Sequence, residues 1–516
     1  MQAGKYLNIK FNGSFLRSRV SGVSLSWRPK LKGKEGSLIL LGFIIVSTIL
    51  GLIVSWLIGS VIILENNNPN KTAAWVAGLF AFPFLGALLY LILGRHPFKR
   101  KRIQTMTLRS RKIQQTARKQ FELFKQNEFL LENNMSKKMV RLLLGNAEIP
   151  LTINNVAEVL TNGKDKFSSL LSTIKAAKNH IHMEYYIFRD DEIGREILEI
   201  LFRKRAEGIE IRLVLDGLGC RQLSPKQIGL MREKGIEVAI FFPVHFPYLS
   251  SRLNYRNHRK IVIVDGEYGF LGGINVGDEY LSRTMKYGFW RDTHMKIQGD
   301  AVHYLQTVFI SDWFFLTGRE LCDEKYFPAL PQLGTQAIQI VASGPDSDRE
   351  SVSQLFFSAL ANAEHSIYIT TPYFIPDESM IMALKTAARS GLDVRIIVQG
   401  KPDHQSTYWA GRSYYEGILE SGVRIYEYQK GVLHSKILII DKLLGIVGSA
   451  NFDIRSFQLN FEVTALNYDP VFVKRLTDDF WQDIDNSTEI LAECFAQRPS
   501  GERYKESLAR LLSPIL

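Results

Sequence analysis

Two copies of one short motif carry the residues of this sequence that could do chemistry. The copies follow a His-x-Lys-x4-Asp pattern and comprise His258, Lys260 and Asp265, and His434, Lys436 and Asp441. After six intervening residues, each Asp is followed by a Gly-[Gly/Ser]-x-Asn sequence, which contributes Gly273 and Asn275 to the first copy and Ser449 and Asn451 to the second. A neutral imidazole is a nucleophile or a base, and a fixed ammonium next to it suits a phosphodiester anion. One His-x-Lys is weak evidence, but two identical patterns in one chain predict a shared site.

Each motif lysine is followed by four β-branched or leucine residues, which predicts a buried strand. Positions i and i+2 of a strand share a face and lie about 6.5–7 Å apart. Each His and its Lys should therefore point into one site. Asp265 and Asp441 come seven positions after the His, so we expect them to face away and to anchor the strand end and turn. The return strand should bring Asn275 and Asn451 back as hydrogen-bond donors to phosphate.

The motifs close two similar halves of the chain. From about residue 150, apolar runs alternate with helix-like stretches, which is typical of an α/β layer fold. The similar segments are 167–188 and 355–374, 206–217 and 389–400, and 233–241 and 420–428. A long period that occurs only twice predicts two duplicated lobes, at residues 151–335 and 336–516, rather than a solenoid.

Two uncharged apolar runs precede the lobes, at residues 37–64 and 72–94. As helices they would reach about 42 and 35 Å, against a hydrocarbon core of about 30 Å. Residues 37–94 are therefore predicted to form a hairpin of two transmembrane helices, with the polar segment 65–71 as its loop. Two buried core helices would not need uncharged runs of this length, and a cleaved signal peptide would begin closer to the N terminus.

The charge distribution predicts an orientation. Residues 1–35 carry eight Lys/Arg and one acid, and residues 95–120 carry ten Lys/Arg and no acid. The positive-inside rule predicts that the basic N-terminal segment 1–36 and the basic helical linker 95–150 lie in the cytoplasm. Both termini and the half of the chain with the motifs should then be cytoplasmic as well. The expected location is the inner membrane, which the chain would cross more than once. Anionic membrane lipids are the expected partners of the basic segments. Residues 121–516 have a net charge of −5, which argues against a nucleic-acid partner.

The twin motifs resemble those of the phospholipase D superfamily, in which two such motifs converge on one active site between two lobes. Residues 257–280, 290–294 and 433–462, with the paired apolar N terminus, are similar to bacterial cardiolipin synthases. The resemblance covers about residues 37–516. It implies an α/β fold of two duplicated phospholipase D-like lobes with mixed sheets behind two transmembrane helices. It also implies a phosphatidyltransferase that makes cardiolipin and glycerol from two molecules of phosphatidylglycerol.

The resemblance further implies the roles of the residues. One histidine forms a phosphatidyl-histidine and the other is the general acid and then the base; the superfamily favours His258 as nucleophile and His434 as acid. The remaining residues with implied roles are Lys260, Lys436, Asn275, Asn451, Gly273 and Ser449 at the phosphate, Asp265 and Asp441 as catalytic-motif residues, and Glu462 and Asp292 as carboxylates that orient the histidines. A solvated strand position for Glu462 and an ion pair between Asp292 and Arg291 are the alternatives.

No cofactor or metal is predicted. Exchange of one phosphodiester for another needs no nucleotide, and the sequence contains neither a Gly-x4-Gly-Lys-[Ser/Thr] loop nor a His-Glu-x-x-His pattern. The three distant cysteines indicate neither disulfides nor a thiolate site, and a structural role is expected for His180 and His182. Three other functions stay open: a phospholipase D-type hydrolase or nuclease, transfer to another alcohol such as serine, and a non-catalytic tether, which would be expected to lose a motif residue. The donor and acceptor lipids, a homo-oligomeric state and the attacking histidine also stay open.

Overall fold

The computed structural model describes residues 33–64, 69–90, 108–125, 133–146, 148–243, 254–346 and 349–514. The chain divides into two compact units, Met1–Leu91 and Ile92–Leu516. Most of the two basic segments, on which the predicted orientation depends, lies outside the described residues.

The first unit contains one long apolar helix. Its elements are α1 Gly33–Leu64, α2 Pro69–Ala81 and α3 Pro83–Leu89. Residues Gly36–Leu64 of α1 are long and apolar enough to cross a membrane, and no other helix in the described part of the chain meets that condition. Most of the large apolar side chains of α1 are exposed, as they would be against lipid.

The second apolar run is not one continuous helix. Pro83 has no N–H and disfavours helical backbone at the residue before it, and Phe82 has φ −137° and ψ 76°. The run is therefore divided into helices of 13 and 7 residues. The second predicted transmembrane helix, at residues 72–94, is therefore not confirmed, because Pro83 interrupts the helix. The mean hydropathy of the run does not reveal this break.

The first lobe is built on a seven-stranded mixed sheet. Its strands, with one short additional strand, are β1 Asn155–Thr161, β2 His180–Tyr185, β3 Glu210–Asp216, β4 Glu237–Phe241, β5 Lys260–Val264, β6 Tyr268–Gly272, β7 Phe289–Arg291 and β8 Thr293–Gly299. Its helices are α6 Asn162–Lys175, α7 Glu192–Ala206, α8 Pro225–Glu233 and α9 Ala301–Thr317. Helices α4 Leu108–Lys125 and α5 Asn134–Asn146 precede the lobe, and their buried apolar side chains belong to the core of the second lobe. The order in the sheet is β1-β8-β6-β5-β2-β3-β4.

The second lobe repeats this plan. Its strands are β9 Ile338–Ser343, β10 Ser366–Thr370, β11 Phe374–Ile375, β12 Asp393–Gln399, β13 Arg424–Tyr428, β14 Gly431–Leu433, β15 Ile437–Ile440, β16 Leu444–Gly448, β17 Phe452–Asp453, β18 Glu462–Asn467 and β19 Ser487–Ile490. Its helices are α10 Ser351–Ala361, α11 Glu378–Arg389, α12 Gln405–Arg412, α13 Tyr415–Leu419, α14 Ile454–Gln458, α15 Pro470–Asp485, α16 Ala492–Ala496 and α17 Ser500–Arg510. The sheet order β9-β18-β16-β15-β10-β12-β13-β19 matches that of the first lobe strand for strand, with β19 added. The predicted pair of duplicated α/β lobes is confirmed.

The motif strands β5 and β15 lie in the centres of the two sheets. Alternate apolar side chains on them, Ile261 and Ile263 on β5 and Ile437 and Ile439 on β15, belong to one buried cluster that both lobes share. Both motif strands thus face the apolar core that lies between the two sheets. Burial on this face fixes the register, because a shift of one residue would turn every side chain to the opposite face.

The motif aspartates terminate these strands. Both lie in the left-handed region, Asp265 with φ 57° and Asp441 with φ 53°. The Asp265 carboxylate accepts backbone N–H groups from residues 178, 179 and 180 at 2.7, 2.7 and 2.9 Å. Asp441 accepts from residues 364, 365 and 366 at 2.8, 2.7 and 2.7 Å. Both carboxylates hold the loop before the neighbouring strand, as their positions along the strand predicted, so they are not grouped with the catalytic residues.

Candidate active site

Two backbone contacts between the lobes position the motif histidines. Short strand β14 pairs in parallel with β7, with Leu433 opposite Arg291. On the other side of the site, Asn257 forms an isolated parallel bridge with Phe461. The next residue in each case donates its N–H across the boundary: His434 to the carbonyl of Arg291 at 2.7 Å, and His258 to that of Phe461 at 2.9 Å. Each histidine is thereby fixed beside the residue that precedes a carboxylate of the opposite lobe.

The histidine–carboxylate pairs are therefore crossed between lobes. His258 Nδ1 lies 3.0 and 3.1 Å from the two carboxylate oxygens of Glu462. His434 Nδ1 lies 2.8 Å from Asp292 Oδ2. A carboxylate only accepts, so each pair favours a proton on Nδ1 and directs the lone pair of Nε2 away from the carboxylate. The solvated alternative for Glu462 is wrong, since this side chain is fully buried.

Gly273 and Ser449, both predicted to bind substrate, contact these carboxylates instead. Ser449 Oγ donates to Glu462 Oε2 at 2.5 Å. At the equivalent place in the first lobe, a Cβ added to Gly273 would fall inside contact distance of all three carboxylate atoms of Asp292. The second lobe thus holds its longer acid through a hydroxyl, and the first lobe leaves space for a shorter acid. The substrate-binding assignment of these two residues is corrected.

The motif asparagines each hold neighbouring structure. Asn275 Oδ1 accepts from the backbone N–H of Ile187 at 3.1 Å, and its Nδ2 donates to Tyr280 Oη at 3.1 Å. Asn451 Nδ2 donates to Asp453 Oδ2 at 3.1 Å. Each amide nitrogen retains a second N–H. Donation to a phosphate oxygen stays a prediction.

The motif lysines are buried beside the histidines. Lys260 Nζ donates to the carbonyl of His258 at 2.5 Å. Lys436 Nζ donates to the carbonyl of His434 and lies 2.9 Å from its Nδ1. Burial lowers the pKa of Lys260 to about 7 and that of Lys436 to about 8, although the nearby carboxylates Glu462 and Asp292 raise both pKa values. An anion placed between the ammonium groups would favour their charged forms.

Burial also favours neutral imidazoles. It lowers the pKa of His258 to about 4, against the opposing charge of Glu462 and with the help of Lys260. The pKa of His434 is lowered by burial and by the charge of Lys436, while Asp292 raises it. Burial would raise the pKa of Glu462, but the charges of His258 and Lys260 and hydrogen bonds hold it at about 2. The site thus contains an ionised Glu462 and a His258 that is neutral and nucleophilic near pH 7.

Two buried arginines support the crossed pairs, and sequence reasoning missed the role of both. Arg259, the middle residue of the first motif, donates from Nε to the carbonyl of Glu462 at 3.2 Å. Arg291 donates from Nη1 to the carbonyl of Asp292 at 2.8 Å and pairs with Asp483 at 2.8 Å. The alternative of an Arg291–Asp292 ion pair is therefore wrong. Both arginines were visible in the sequence, but Glu462 and Asp483, which they contact, lie in the other lobe.

Aromatic side chains surround the histidines. The ring of Tyr186 is 5.0 Å from that of His258, and Trp290 and Tyr373 are 5.4 and 6.4 Å from His434, all measured between ring centroids. Tyr373 Oη donates to Asp403 Oδ2 at 2.6 Å. The two tyrosines occur in the repeated segments, at the ends of the matched first strands, which is the sequence signal that could have identified them.

The described parts of the two units contain no cluster of side chains that could bind a metal ion. No group of three or more His, Cys, Asp or Glu side chains there is arranged to hold an ion. His180 and His182 are fully buried, and their rings lie 3.3 and 3.2 Å from Gln306 Oε1. They contribute to the packing of β2 against α9.

Comparison with known families identifies this arrangement. A family model described as "Cardiolipin synthase, PLD-like domain" matches residues 170–313 and 356–484, one region in each lobe. The chain belongs to this family of phospholipase D-like cardiolipin synthases. A second model, "Phospholipase_D-nuclease N-terminal", matches residues 51–95.

Relatives within the family match nearly the whole chain. Cardiolipin synthase 2 of Bacillus cereus is 44% identical over 468 residues, which is 90% of this chain and 90% of that protein. The major cardiolipin synthase ClsA of Bacillus subtilis is 41% identical and covers 93% of this chain and 99% of its own. The crystal structure of phosphatidylserine synthase from Haemophilus influenzae has a TM-score of 0.59 at 16% identity, covering 73% of this chain and 100% of that chain. It shares the fold.

The packing of Asp292 against Gly273 predicts the effect of one added methyl group. Gly273→Ala should displace the carboxylate from His434, and a misplacement of about 1 Å in a catalytic pair costs about 100-fold in kcat. Steady-state assay of cardiolipin formation measures the loss, and circular dichroism verifies the fold. Gly229→Ala is the control, because its Cβ meets nothing within 4 Å. Wild-type kcat in Gly273→Ala would contradict the role given to this contact.

Proposed function

We propose that this protein is a cardiolipin synthase that transfers a phosphatidyl group from one phosphatidylglycerol to the terminal hydroxyl of another. The observation that carries the proposal is the pair of crossed histidine–carboxylate contacts with a buried lysine beside each histidine. It is supported by relatives that are named cardiolipin synthases at 41–44% identity over most of the chain. A nucleophile and an acid–base group facing one anion are the set that a two-step exchange requires.

In the first step, His258 Nε2 attacks phosphorus of the donor lipid and the bond from phosphorus to the glycerol headgroup oxygen breaks. His434, protonated at Nε2, gives its proton to that oxygen, so that glycerol leaves and a phosphatidyl-histidine remains. In the second step, His434 Nε2 takes the proton of the acceptor hydroxyl, whose oxygen attacks phosphorus and breaks the bond to His258. Two phosphatidylglycerols thus give one cardiolipin and one glycerol, with the enzyme regenerated.

The other site residues serve this exchange. Glu462 orients His258 and stabilises the positive charge that the ring carries after attack, and Asp292 does the same for protonated His434. Lys260 and Lys436 hold the non-bridging oxygens, where negative charge develops, with Asn275 and Asn451 as neutral donors. Because two ammonium groups supply the positive charge, we propose that the reaction needs neither metal nor other cofactor.

The membrane arrangement is proposed from α1 and from the sequence. We propose that α1 is the first span and that α2 and α3, joined at Pro83, are the second, with both termini and the two lobes in the cytoplasm. The proposed segments are 1–36, 37–94, 95–150, 151–335 and 336–516. Anionic lipids bind the basic flanks in this proposal. A homo-oligomer is compatible with it but is not required.

The assay that tests the function uses purified full-length protein with headgroup- and acyl-labelled phosphatidylglycerol. We expect cardiolipin and free glycerol in a one-to-one ratio, without nucleotide. Phosphatidic acid as the main product would identify a phospholipase D-type hydrolase. Product only when serine or another alcohol is added would identify a different phosphatidyltransferase, the activity named for the solved structure that shares this fold.

The pH dependence of kcat/KM follows from the direction of the pKa shifts. The pKa of His258 is about 4, so the neutral nucleophile forms as pH rises through that value. The lowered pKa of His434 and the lysine pKa values of about 7 and 8 mean that the positive charges are lost as pH rises from below 6.5 to 8. A bell-shaped profile with its maximum below about pH 7 is expected. A maximum above pH 8 would contradict these shifts.

Replacement of His434 separates the two roles. Glycerol is a poor leaving group as an alkoxide, so His434→Ala should form no adduct with phosphatidylglycerol. With an activated phenyl phosphodiester, which needs no proton on departure, the same variant should become phosphatidylated and stay so, since the base for the second step is missing. Intact-protein mass spectrometry measures the adduct.

The matched control is His258→Ala, which should form no adduct with either substrate. An adduct mapped to His434 and retained in His258→Ala would reverse the assignment. If wild type, His434→Ala and His258→Ala all form no phosphatidyl adduct, covalent catalysis is ruled out.

A further inference from the structure

The C-terminal helix α17 has two faces of opposite character. Its inward face carries the acids Glu502 and Glu506 together with Ala509. Glu502 pairs with Arg412 at 3.3 Å, and Glu506 pairs with Arg412 at 3.2 Å and with Arg498 at 2.8 Å. Glu506 is 1% exposed. Both acidic side chains of the helix are therefore paired with arginines of the same lobe.

The opposite face is apolar and exposed. Its large side chains follow a helical spacing and continue into the turn after the helix: Tyr504 is 71% exposed, Leu508 55%, Leu511 76% and Leu512 45%. Successive residues of a helix differ by 100°, so Tyr504, Leu508 and Leu511 fall on the side opposite the buried acids, and Leu512 lies at the edge of that side. A contiguous apolar surface of this kind on a folded lobe indicates a binding surface.

The flanks of the apolar face are basic. Arg503, Lys505 and Arg510 are exposed. The Lys505 ammonium lies 5.2 Å from the Trp409 ring and the Arg510 guanidinium 4.5 Å from the Tyr414 ring, in both cases measured to the ring centroid. An apolar stripe between two basic borders, with both acids of the helix paired with arginines of the lobe, is complementary to an anionic lipid surface.

This surface is one helix removed from the reacting groups. Helix α17 packs on α12, through the contacts of Arg412 with Glu502 and Glu506. Helix α12 begins at Gln405, directly after His404, whose ring is 6.5 Å from that of Tyr373. Tyr373 in turn adjoins His434.

We propose that Tyr504, Leu508, Leu511 and Leu512 of the α17 region insert into the interfacial layer of an anionic bilayer and so hold the active site against its lipid substrate. The inference deepens the proposed function, because it assigns a lipid-contact surface to the catalytic lobe itself. Binding of lipid at this helix would let the diacyl chains of phosphatidylglycerol stay in the bilayer while the headgroup reaches the histidines.

The first test locates the helix directly. In full-length protein with Cys322→Ser and Cys494→Ser, a nitroxide is attached at Leu508→Cys or, as control, at Met382→Cys, an apolar position on α11 that is 65% exposed. After reconstitution into vesicles of phosphatidylglycerol and phosphatidylcholine, power saturation compares collisions with oxygen and with a water-soluble nickel chelate. The 508 label should favour oxygen and the 382 label the nickel chelate. Equal nickel accessibility at both positions would overturn the proposal.

The same labels distinguish the other occupants of the surface. Short distances between 508 labels of two copies, with exclusion of both oxygen and nickel, would show a protein–protein interface and would overturn the lipid assignment. Loss of the oxygen preference in vesicles of phosphatidylcholine alone is expected, because the basic borders then have no anionic headgroups to bind.

The second test measures function. The double variant Leu508→Glu/Leu511→Glu should lower kcat/KM on bilayer phosphatidylglycerol about tenfold or more, since two apolar anchors become anionic. On a water-soluble short-chain phosphatidylglycerol it should stay within about twofold of wild type. Met382→Glu is the control on both substrates. Equal losses on both substrates would indicate a structural defect and overturn the proposal. If wild type makes no cardiolipin, the proposed function fails, while the label accessibilities still decide the surface.

Discussion

The backbone N–H of each motif histidine is donated across the lobe boundary to the residue before the opposite lobe's carboxylate. These two hydrogen bonds, from His258 to Phe461 and from His434 to Arg291, set the distance and orientation of both histidine–carboxylate pairs. Neither lobe alone contains a complete pair. The shared apolar core between the sheets is therefore a requirement for the site, because any slip between the lobes would separate both pairs at once.

The sequence was sufficient to predict the two lobes and that the motif histidines and lysines lie together. Identical spacing in the two motifs, and the parity of positions along a strand, predicted which side chains share a face and that Asp265 and Asp441 turn away. Both properties are local, since they depend on a few consecutive residues and on the period of a strand. The similarity of the two halves then predicted that the same local structure occurs twice.

Contacts between the lobes could not be predicted in this way. The spacing of Glu462 and Asp292 in the sequence does not reveal that each acid serves the histidine of the other lobe, or that Ser449 and Gly273 lie against the acids. The mid-helix break at Phe82 was missed for a different reason: hydropathy averages over a window, whereas the missing N–H of Pro83 acts at one residue. The periodic pattern of apolar residues in a sequence therefore predicts neither contacts between distant residues nor backbone effects of a single residue.

Burial of the reacting groups explains why such a site would favour exchange over hydrolysis. Two imidazoles and two ammonium groups lose affinity for protons in this environment, and a bound phosphodiester anion restores it, so the charged site is completed only when substrate is present. In the proposed mechanism, the phosphatidyl-histidine then reacts with the hydroxyl of a lipid or with water, which compete for it. Exchange of one phosphodiester for another has little driving force, whereas hydrolysis is irreversible in practice. Transfer to a lipid acceptor therefore exceeds hydrolysis only if the lipid is present at high local concentration and water is excluded. The exposed apolar face of α17 with its basic flanks, one helix from His434, would favour both conditions.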